Sequence, residues 1–354
     1  MDEITFLKKL VEIYSPHGRE SKASSFLYEA MLQLGYKTSK TPIGNVIGEV
    51  GCGKPRIFLC GHMDTVKGRL PVKLTSTRLY GRGVVDAKSA LAAMIIAASR
   101  LSKNMCKGSV TVAAVVDEEG HSKGMRELIE RGVEADYAIF GEPSHLKYIT
   151  IGYKGSLSVH INVKTRGGHT STPMAANAIE EAIALWMEVK KSFEKYASKS
   201  LRNSITVNIS GIKNIGVSYA TVYLNIRYPE LSDADIIRGD LKKTIREFAE
   251  REKIEAELIE DEICPPYTAD KKSRLVAVLQ QSIKKITGEP AHLITKTGTG
   301  DMNIFGNVYN IPTITYGPGD SRLDHTDEEY IELEEYLTAI NILEDCLRTL
   351  LESG

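Results

Sequence analysis

Arg56-Ile57-Phe58-Leu59-Cys60-Gly61-His62-Met63-Asp64 is the stretch on which the reading of this 354-residue chain turns. Its first half is apolar without alternation, so a strand there is covered on both faces, as the strands of an α/β sheet are. Its second half ends in groups that bind protons and metals. The same kind of solid apolar run recurs at 110–116 and 136–140. Helical patterns at 88–101 and 124–131 lie between these runs and supply the cover. Two further helices are predicted at 4–14 and 21–34, the second stopping at Gly35, a residue suited to a helix C-terminus. The fold class expected is α/β with a mixed sheet.

The character changes near Gly155. Ser156-Leu157-Ser158-Val159-His160-Ile161-Asn162-Val163-Lys164 alternates strictly, which predicts an antiparallel strand with one face toward solvent. A helix follows over 175–197, strands over 204–210 and 219–227, a helix over 233–251 and a strand over 254–259. That order, βαββαβ, is the ferredoxin-like split unit. Pro265-Pro266 closes it. Apolar segments resume at 293–295 and 312–316, and a last helix is predicted over 329–351. Residues 155–266 are therefore expected to be a domain inserted into a discontinuous one formed by 1–154 plus 267–354. The chain has no repeats and no low-complexity segment.

Composition narrows the function classes. A hydrophobic content of 42% and a charged content of 26% are those of a globular protein. A formal net charge of -1 argues against a nucleic-acid binder. The longest apolar stretch, 84–101, carries Asp86, Lys88 and Arg100, so a buried helix is expected and no membrane span. Cys52, Cys60, Cys106, Cys264 and Cys346 are odd in number and scattered, which suits reduced thiols in the cytoplasm. The acidic Met1-Asp2-Glu3 start, running into a helix pattern, is not that of a signal peptide.

Ligands collect at the carboxyl ends of strands in open α/β sheets. His62 follows the first solid run. Glu118 and Glu119 follow the second, Glu142 the third, and His325 the segment that ends in Gly317-Pro318-Gly319. Asp86 stands at the start of a predicted helix. Two imidazoles and three carboxylates are what a pair of divalent ions requires if one carboxylate bridges them. Glu118, beside Glu119, is then free to move protons. Taken singly, each residue has a plainer role: Asp86 is a helix N-cap, Glu118 and Glu119 a solvated strand end, Glu142 before Pro143 a turn, and each histidine a satisfied or exposed one. Their occurrence together points to a two-metal hydrolase. Asp64, two residues after His62, stands where a carboxylate would hold the far imidazole nitrogen; an ordinary loop aspartate is the alternative. His17, His121, His145, His160 and His292 have no such context and are read as structural.

Gly61-His62-Met63-Asp64-Thr65-Val66, Gly81-Arg82-Gly83 with Asp86 and Lys88, Asp117-Glu118-Glu119-Gly120, Gly141-Glu142-Pro143 and Gly167-Gly168-His169-Thr170-Ser171-Thr172-Pro173 together resemble the co-catalytic zinc deacylase and exopeptidase family. That family includes succinyl-diaminopimelate desuccinylase, acetylornithine deacetylase, aminoacylase and glutamate carboxypeptidases. The resemblance covers the whole chain. It implies a zinc-exopeptidase catalytic domain with an inserted domain that mediates dimerisation and serves as a lid. It implies one ion on His62, Glu142 and a bridging Asp86, and a second on Asp86, Glu119 and His325. Zinc is implied, with cobalt or manganese able to substitute. Glu118 would be the general base, Asp64 would support the site, and His169 would reach the partner's active site to stabilise an oxyanion. The resemblance also implies a cis peptide at Asp86-Ala87 and a substrate-carboxylate anchor at Arg227.

Within the family, Ile13-Tyr14-Ser15-Pro16-His17-Gly18-Arg19-Glu20 and Lys296-Thr297-Gly298-Thr299-Gly300-Asp301-Met302-Asn303 look most like the branch that hydrolyses lysine or ornithine from an amino-group carrier protein in lysine and arginine biosynthesis. The second motif places Thr299, Gly300, Asp301 and Asn303 among the substrate-binding candidates, with Asp301 and Asn303 candidates for reading an amine. Between Ile151 and Asn203 there are eight Lys and Arg against four Glu. Such a face would steer an acidic carrier; a solvated helix face is the alternative. Other expected activities are deacylation of acetylornithine, acetyl-lysine or succinyl-diaminopimelate, or dipeptide hydrolysis. A non-catalytic metal-binding relative is a remote alternative.

Overall fold

A computed structural model describes residues 1–101, 107–166, 177–214, 216–230 and 232–352. Cys106 and His169 lie outside the described residues. The chain divides into two units. The larger comprises Met1–Gly152, Ala269–Ile294 and Gly300–Gly354, the smaller Tyr153–Thr268 with Thr295–Thr299. These boundaries differ from the expected ones mainly in Thr295–Thr299, which goes with the smaller unit. Thr299 belongs there because its hydroxyl donates to the Lys154 carbonyl (3.1 Å) and accepts from the Arg227 guanidinium.

The larger unit is built on a mixed sheet. Across it the strands run Lys37–Lys40, Val46–Cys52, Gly108–Val115, Arg56–His62, Tyr137–Phe140, Thr313–Thr315 and Tyr148–Tyr153. The four central strands, from Gly108–Val115 to Thr313–Thr315, are mutually parallel. Their register pairs His62 with Val115, Cys60 with Phe140, and Phe140 with Thr315. All four carboxyl ends therefore open on one edge. Val46–Cys52 and Tyr148–Tyr153 flank this core in antiparallel sense. Neither strand was expected from the sequence. Val46–Cys52 is an alternating strand interrupted by glycines, and Tyr148–Tyr153 meets Thr313–Thr315 through a single ladder pair, Thr150 with Thr315.

Helix Ser89–Ser99 is buried from Ser89 to Ala98, on every side. A helix apolar all round must be enclosed. It packs on the Arg56–His62 strand and beneath the C-terminal helix Leu333–Glu352. The approach to the strand is close enough to require Gly61: a Cβ there would lie 3.1 Å from the Leu91 Cβ. Helices Arg274–Thr287 and Asp301–Tyr309 were also not anticipated. The last helix starts at Leu333 and not at 329, because Tyr330–Glu332 first pairs as a strand with Arg78–Tyr80. Among the described residues no helix is long and apolar enough to cross a membrane.

In the smaller unit the elements follow one another as strand Gly155–Lys164, helix Ala178–Ser192, strands Thr206–Asn214 and Tyr219–Tyr228, helix Ala234–Glu252 and strand Glu255–Cys264. Across its sheet the order is Thr206–Asn214, Tyr219–Tyr228, Gly155–Lys164, Glu255–Cys264, antiparallel throughout. Leu157, Val159, Ile161 and Val163 alternate into its core with Val222, Leu224 and Ile226, and both helices close over them. Asn177 and Asp233 cap the helices by accepting from Ile179 and Asp235 amides (3.0 and 2.8 Å). The first helix is shorter than the expected 175–197; it ends at Ser192 and a tight turn follows over Glu194–Tyr196.

Asn45 ties the larger unit's scaffold to its functional edge. It is fully buried. Its carboxamide donates to the Gly124 carbonyl (2.9 Å) and to Glu127 (3.0 Å), and accepts from the Val116 amide (3.0 Å). Those contacts bracket residues 117–123, the turn that carries Glu118 and Glu119. Asn45→Ala strands the Val116 amide and the Gly124 carbonyl, each at a cost of about 1–3 kcal/mol. Denaturant unfolding of Asn45→Ala should show a loss of about 2–6 kcal/mol, and a loss under about 0.5 kcal/mol would mean that these bonds do not hold the turn.

Candidate metal centre

Each ligand candidate sits where regular structure ends. His62 closes its strand and is 1% exposed. Asp117 has a φ of 61°, a left-handed conformation that turns the chain sharply out of the Gly108–Val115 strand. Glu118 and Glu119 are thereby aimed across the sheet edge. Their amides donate to the Asp64 carboxylate, at 3.2 Å to Oδ1 and 3.0 Å to Oδ2. Glu142 leaves Tyr137–Phe140 at Gly141. Asp86 lies in the irregular turn Val84–Lys88, entered through Gly83 with φ 81°. The Asp86–Ala87 peptide is cis. His325 also has a left-handed φ, 62°.

These five side chains converge. The two oxygens of Asp86 face different imidazoles: Oδ1 is 3.1 Å from His62 Nε2, and Oδ2 is 3.0 Å from His325 Nε2. His62 Nε2 is also 3.5 Å from Glu142 Oε1, and His325 Nε2 is 3.1 Å from Glu119 Oε1. Two groups result, His62 with Asp86 and Glu142, and Asp86 with Glu119 and His325. Their ligand atoms lie within 4.8 Å of one another, and Asp86 belongs to both.

The electrostatics of the cluster call for positive charge. Burial alone would lower the His62 imidazole, but Glu142, Asp64 and Asp86 outweigh it and push it well above its ordinary value. Asp86 and Glu119 hydrogen bonds push His325 up to about 10. Burial would raise Asp86, and the two imidazoles reverse this and hold it low. Protons thus stand in for cations between carboxylate and imidazole. Nitrogen and oxygen donors in two groups sharing one carboxylate fit a pair of divalent ions.

Glu118 contributes to neither group. Burial lifts its carboxyl well above the usual carboxylate range, His62 opposes this, and Glu142, Asp301 and Glu119 add to it. Gly300 leaves it room: a Cβ there would be 3.2 Å from Glu118 Oε1. Asp64 faces His62 with its main chain as well as its carboxylate. The imidazole Nδ1 is 3.1 Å from the Asp64 main-chain carbonyl and 3.5 Å from its carboxylate. The carboxylate, fully buried, is occupied by the amides of Glu118 and Glu119.

The remaining candidates are distributed. Arg227 donates to the Thr299 hydroxyl, both within the smaller unit. Asp301 is 6% exposed, and burial pushes its carboxyl up to about 6. Its Oδ1 has no hydrogen-bond partner and no contact with solvent. Asn303 is fully buried, and its Oδ1 accepts from the Gly300 amide (3.3 Å), capping helix Asp301–Tyr309. His17 faces Asp117 at 3.8 Å, outside both ligand groups.

Three residues at the centre had no role assigned from the sequence. Glu329 and Arg82 form a buried pair at 3.1 Å behind the Asp86 turn. Lys88, 1% exposed, donates to the carbonyls of Leu10 (3.2 Å) and Ile13 (2.6 Å), and burial pulls its ammonium down to about 7. No local pattern marks Glu329, which follows Asp327-Glu328 and looks like part of a solvated acidic run.

The sequence profile of peptidase family M20/M25/M40 matches residues 58–349. The chain belongs to that family. A Thermococcus kodakarensis protein described as "Putative [LysW]-lysine/[LysW]-ornithine hydrolase" is 38% identical, over 99% of this chain and 92% of that protein. A Sulfurisphaera tokodaii [LysW]-lysine/[LysW]-ornithine hydrolase is 33% identical, over 97% and 95%. A Deinococcus radiodurans [LysW]-lysine hydrolase is 31% identical, over 97% and 96%. As a member of this family the chain is a hydrolase. Its fold is that of a Staphylococcus aureus tripeptidase, with a TM-score of 0.83 at 20% identity over 99% of this chain and 98% of that one. It is also that of a Bacillus subtilis protein described as a dinuclear metal binding peptidase, with a TM-score of 0.74 at 14% identity over 99% and 98%.

Ions that bind only the folded cluster stabilise it by mass action. At a free concentration about 1,000 times Kd, one such ion adds about 4 kcal/mol. The melting temperature of chelator-stripped protein should rise on adding Zn²⁺ or Co²⁺ and fall again with chelator. An unchanged melting temperature would mean that the cluster holds no ion.

Proposed function

We propose that this protein is a two-metal amidohydrolase that releases lysine, ornithine or both from an amino-group carrier protein, in the biosynthesis of lysine and arginine. The observation that carries the proposal is the gathering of all five ligand candidates around Asp86, with Glu118 alongside, in a chain that matches proteins of that name over nearly its full length. Ions held by His62, Glu142 and Asp86 and by Asp86, Glu119 and His325, zinc in this proposal with cobalt or manganese able to replace it, would polarise the acyl oxygen and make water nucleophilic near neutral pH. Glu118 takes a proton from the attacking water and gives it to the departing amine. The products are the carrier carboxylate and the free amine. A base with a raised pKa suits both halves of that task.

Asp64 keeps Glu118 in place through its main-chain amide. Arg227, poised by Thr299, is the anchor for the carboxylate of the released amino acid, a pairing that a planar guanidinium makes in bidentate fashion. Gly300 keeps space open at Glu118. Asp301 acts on the substrate amine through the field of a buried carboxylate, and Asn303 acts by holding the helix start. The oxyanion role of His169 rests on the family resemblance alone.

The protein works as a homodimer through its smaller unit in this proposal. Exposed Ile183 and Met187 on helix Ala178–Ser192, with Ile209 and Ile212 on the edge strand Thr206–Asn214, support it. The carrier approaches the basic end of that helix. Lys190, Lys191, Lys199 and Arg202 are exposed there, whereas Lys154 is buried and donates to the Ser204 carbonyl. The proposed setting is the cytoplasm.

Glu118→Gln should retain both ions and lose turnover by about 10²–10⁴-fold, the range for a general acid–base. Near-normal turnover with metal content confirmed would remove Glu118 from the role.

Amine release should favour carrier-conjugated lysine or ornithine over free acetylornithine, acetyl-lysine, succinyl-diaminopimelate and dipeptides. Reversing the charge of Lys190, Lys191, Lys199 and Arg202 should raise KM for the conjugate, steeply at low salt, and leave a small acylated substrate unaffected. Preference for a free acylated amino acid would retain the chemistry and discard the carrier.

A further inference from the structure

One buried carboxylate outside the ligand set accepts from four donors. Glu329 is 2% exposed and lies four residues after His325. Its Oε2 accepts from the Gly83 amide (3.0 Å) and from Arg82 Nη1 (3.1 Å). Its Oε1 accepts from the amides of Val85 (2.9 Å) and Asp86 (3.3 Å). Arg82 completes the tie: Nη1 donates to the Thr326 carbonyl (2.9 Å) and Nε to the Gly68 carbonyl (2.9 Å). The Gly81 amide donates to the Glu329 carbonyl (3.3 Å).

The location of these bonds gives them their meaning. Asp86 and His325 are ligand candidates that lie on irregular backbone. The Asp86 turn departs from helical angles at Asp86 and Ala87, and His325 has a left-handed φ. Neither is held by a strand ladder or a helix. The Glu329 side chain and the Arg82 guanidinium join their segments through side-chain bonds. His62 and Glu142, by contrast, follow directly from paired strands. A carboxylate is suited to the task because two charged oxygens accept from four donors at once; a carboxamide would offer one oxygen and bring two hydrogens toward amides.

We propose that Glu329 is a positioning residue that sets the separation of the Asp86 carboxylate from the His325 imidazole, and so governs binding at the Asp86, Glu119 and His325 group more than at the His62, Asp86 and Glu142 group. The inference rests on the two-metal reading above. Two ligands of the first group depend on Glu329, and one of the second.

The test is titration of Co²⁺ into metal-stripped protein, read by calorimetry and by the visible spectrum, with near-ultraviolet circular dichroism as the check on folding. Glu329→Gln should bind one equivalent nearly as wild type does and the other about 10–100-fold more weakly, the range for partners that orient metal ligands. Glu329→Asp keeps a charge for Arg82 but is one methylene short. It should fold even where Gln does not, and show the same ordering to a smaller degree. Glu332→Gln, half-buried on the strand Tyr330–Glu332 and bonded to Arg78 away from the Asp86 turn, should match wild type. Two equivalents bound with wild-type affinity by the folded Glu329 variants would overturn the proposal. Equal weakening of both equivalents would also overturn it, because general loosening has no preference between the groups. Wild-type protein binding fewer than two ions would instead remove the two-metal reading on which the proposal stands.

Discussion

A single carboxylate shared between two imidazoles is the constraint around which the larger unit is organised. Asp86 presents one oxygen to His62 and the other to His325 at nearly equal distances. Each imidazole faces a further carboxylate, Glu142 for the first and Glu119 for the second. Four carboxylates, with Glu118, therefore crowd two bases at one sheet edge. Such a concentration of negative charge in a partly buried site is costly unless cations or protons intervene. Parallel strands with aligned carboxyl ends bring the groups to one place.

Bringing them there requires backbone that leaves regular structure, and each departure leaves amides and carbonyls without ladder partners. A buried polar side chain meets that need at every turn. Asp64 accepts from the amides of Glu118 and Glu119. Asn45 brackets the same turn through Val116 and Gly124. Glu329 accepts from the amides of Gly83, Val85 and Asp86. Ser144 joins the Glu142 loop to Gly317, its amide donating to the Gly317 carbonyl (3.0 Å) and its hydroxyl accepting from the Gly317 amide (3.2 Å). Four buried polar side chains thus support the backbone around the ligand candidates.

The same arrangement separates two kinds of carboxylate. Asp86, which faces two imidazoles, is held ionised. Glu118, turned toward Gly300, is buried among other acids and rises. Environment alone thus separates Asp86 from Glu118, two carboxylates of the same chemistry. Unequal surroundings of chemically identical groups are how acid and base roles are commonly assigned in hydrolytic sites.

The sequence by itself determined the two sheet types, because solid and alternating apolar runs report how many faces of a strand are covered, and that is a local property. It pointed to the cluster of ligand candidates for a similar reason: side chains placed directly after strands share an edge if the strands are parallel. It was less informative where the pattern is weak, as in Val46–Cys52, Tyr148–Tyr153 and Arg274–Thr287. Tertiary structure alone decided which partner each polar group finds. Glu329 meets the Asp86 turn across 243 residues of chain, and Asn45 meets Val116 across 71. Tertiary structure also gave the Asp64 carboxylate two amides besides the His62 imidazole, buried Asn303 as a cap, and drew Thr299 into the smaller unit. Hydrogen bonds of that range depend on where loops are brought after the core has packed, and no periodicity along the chain encodes it.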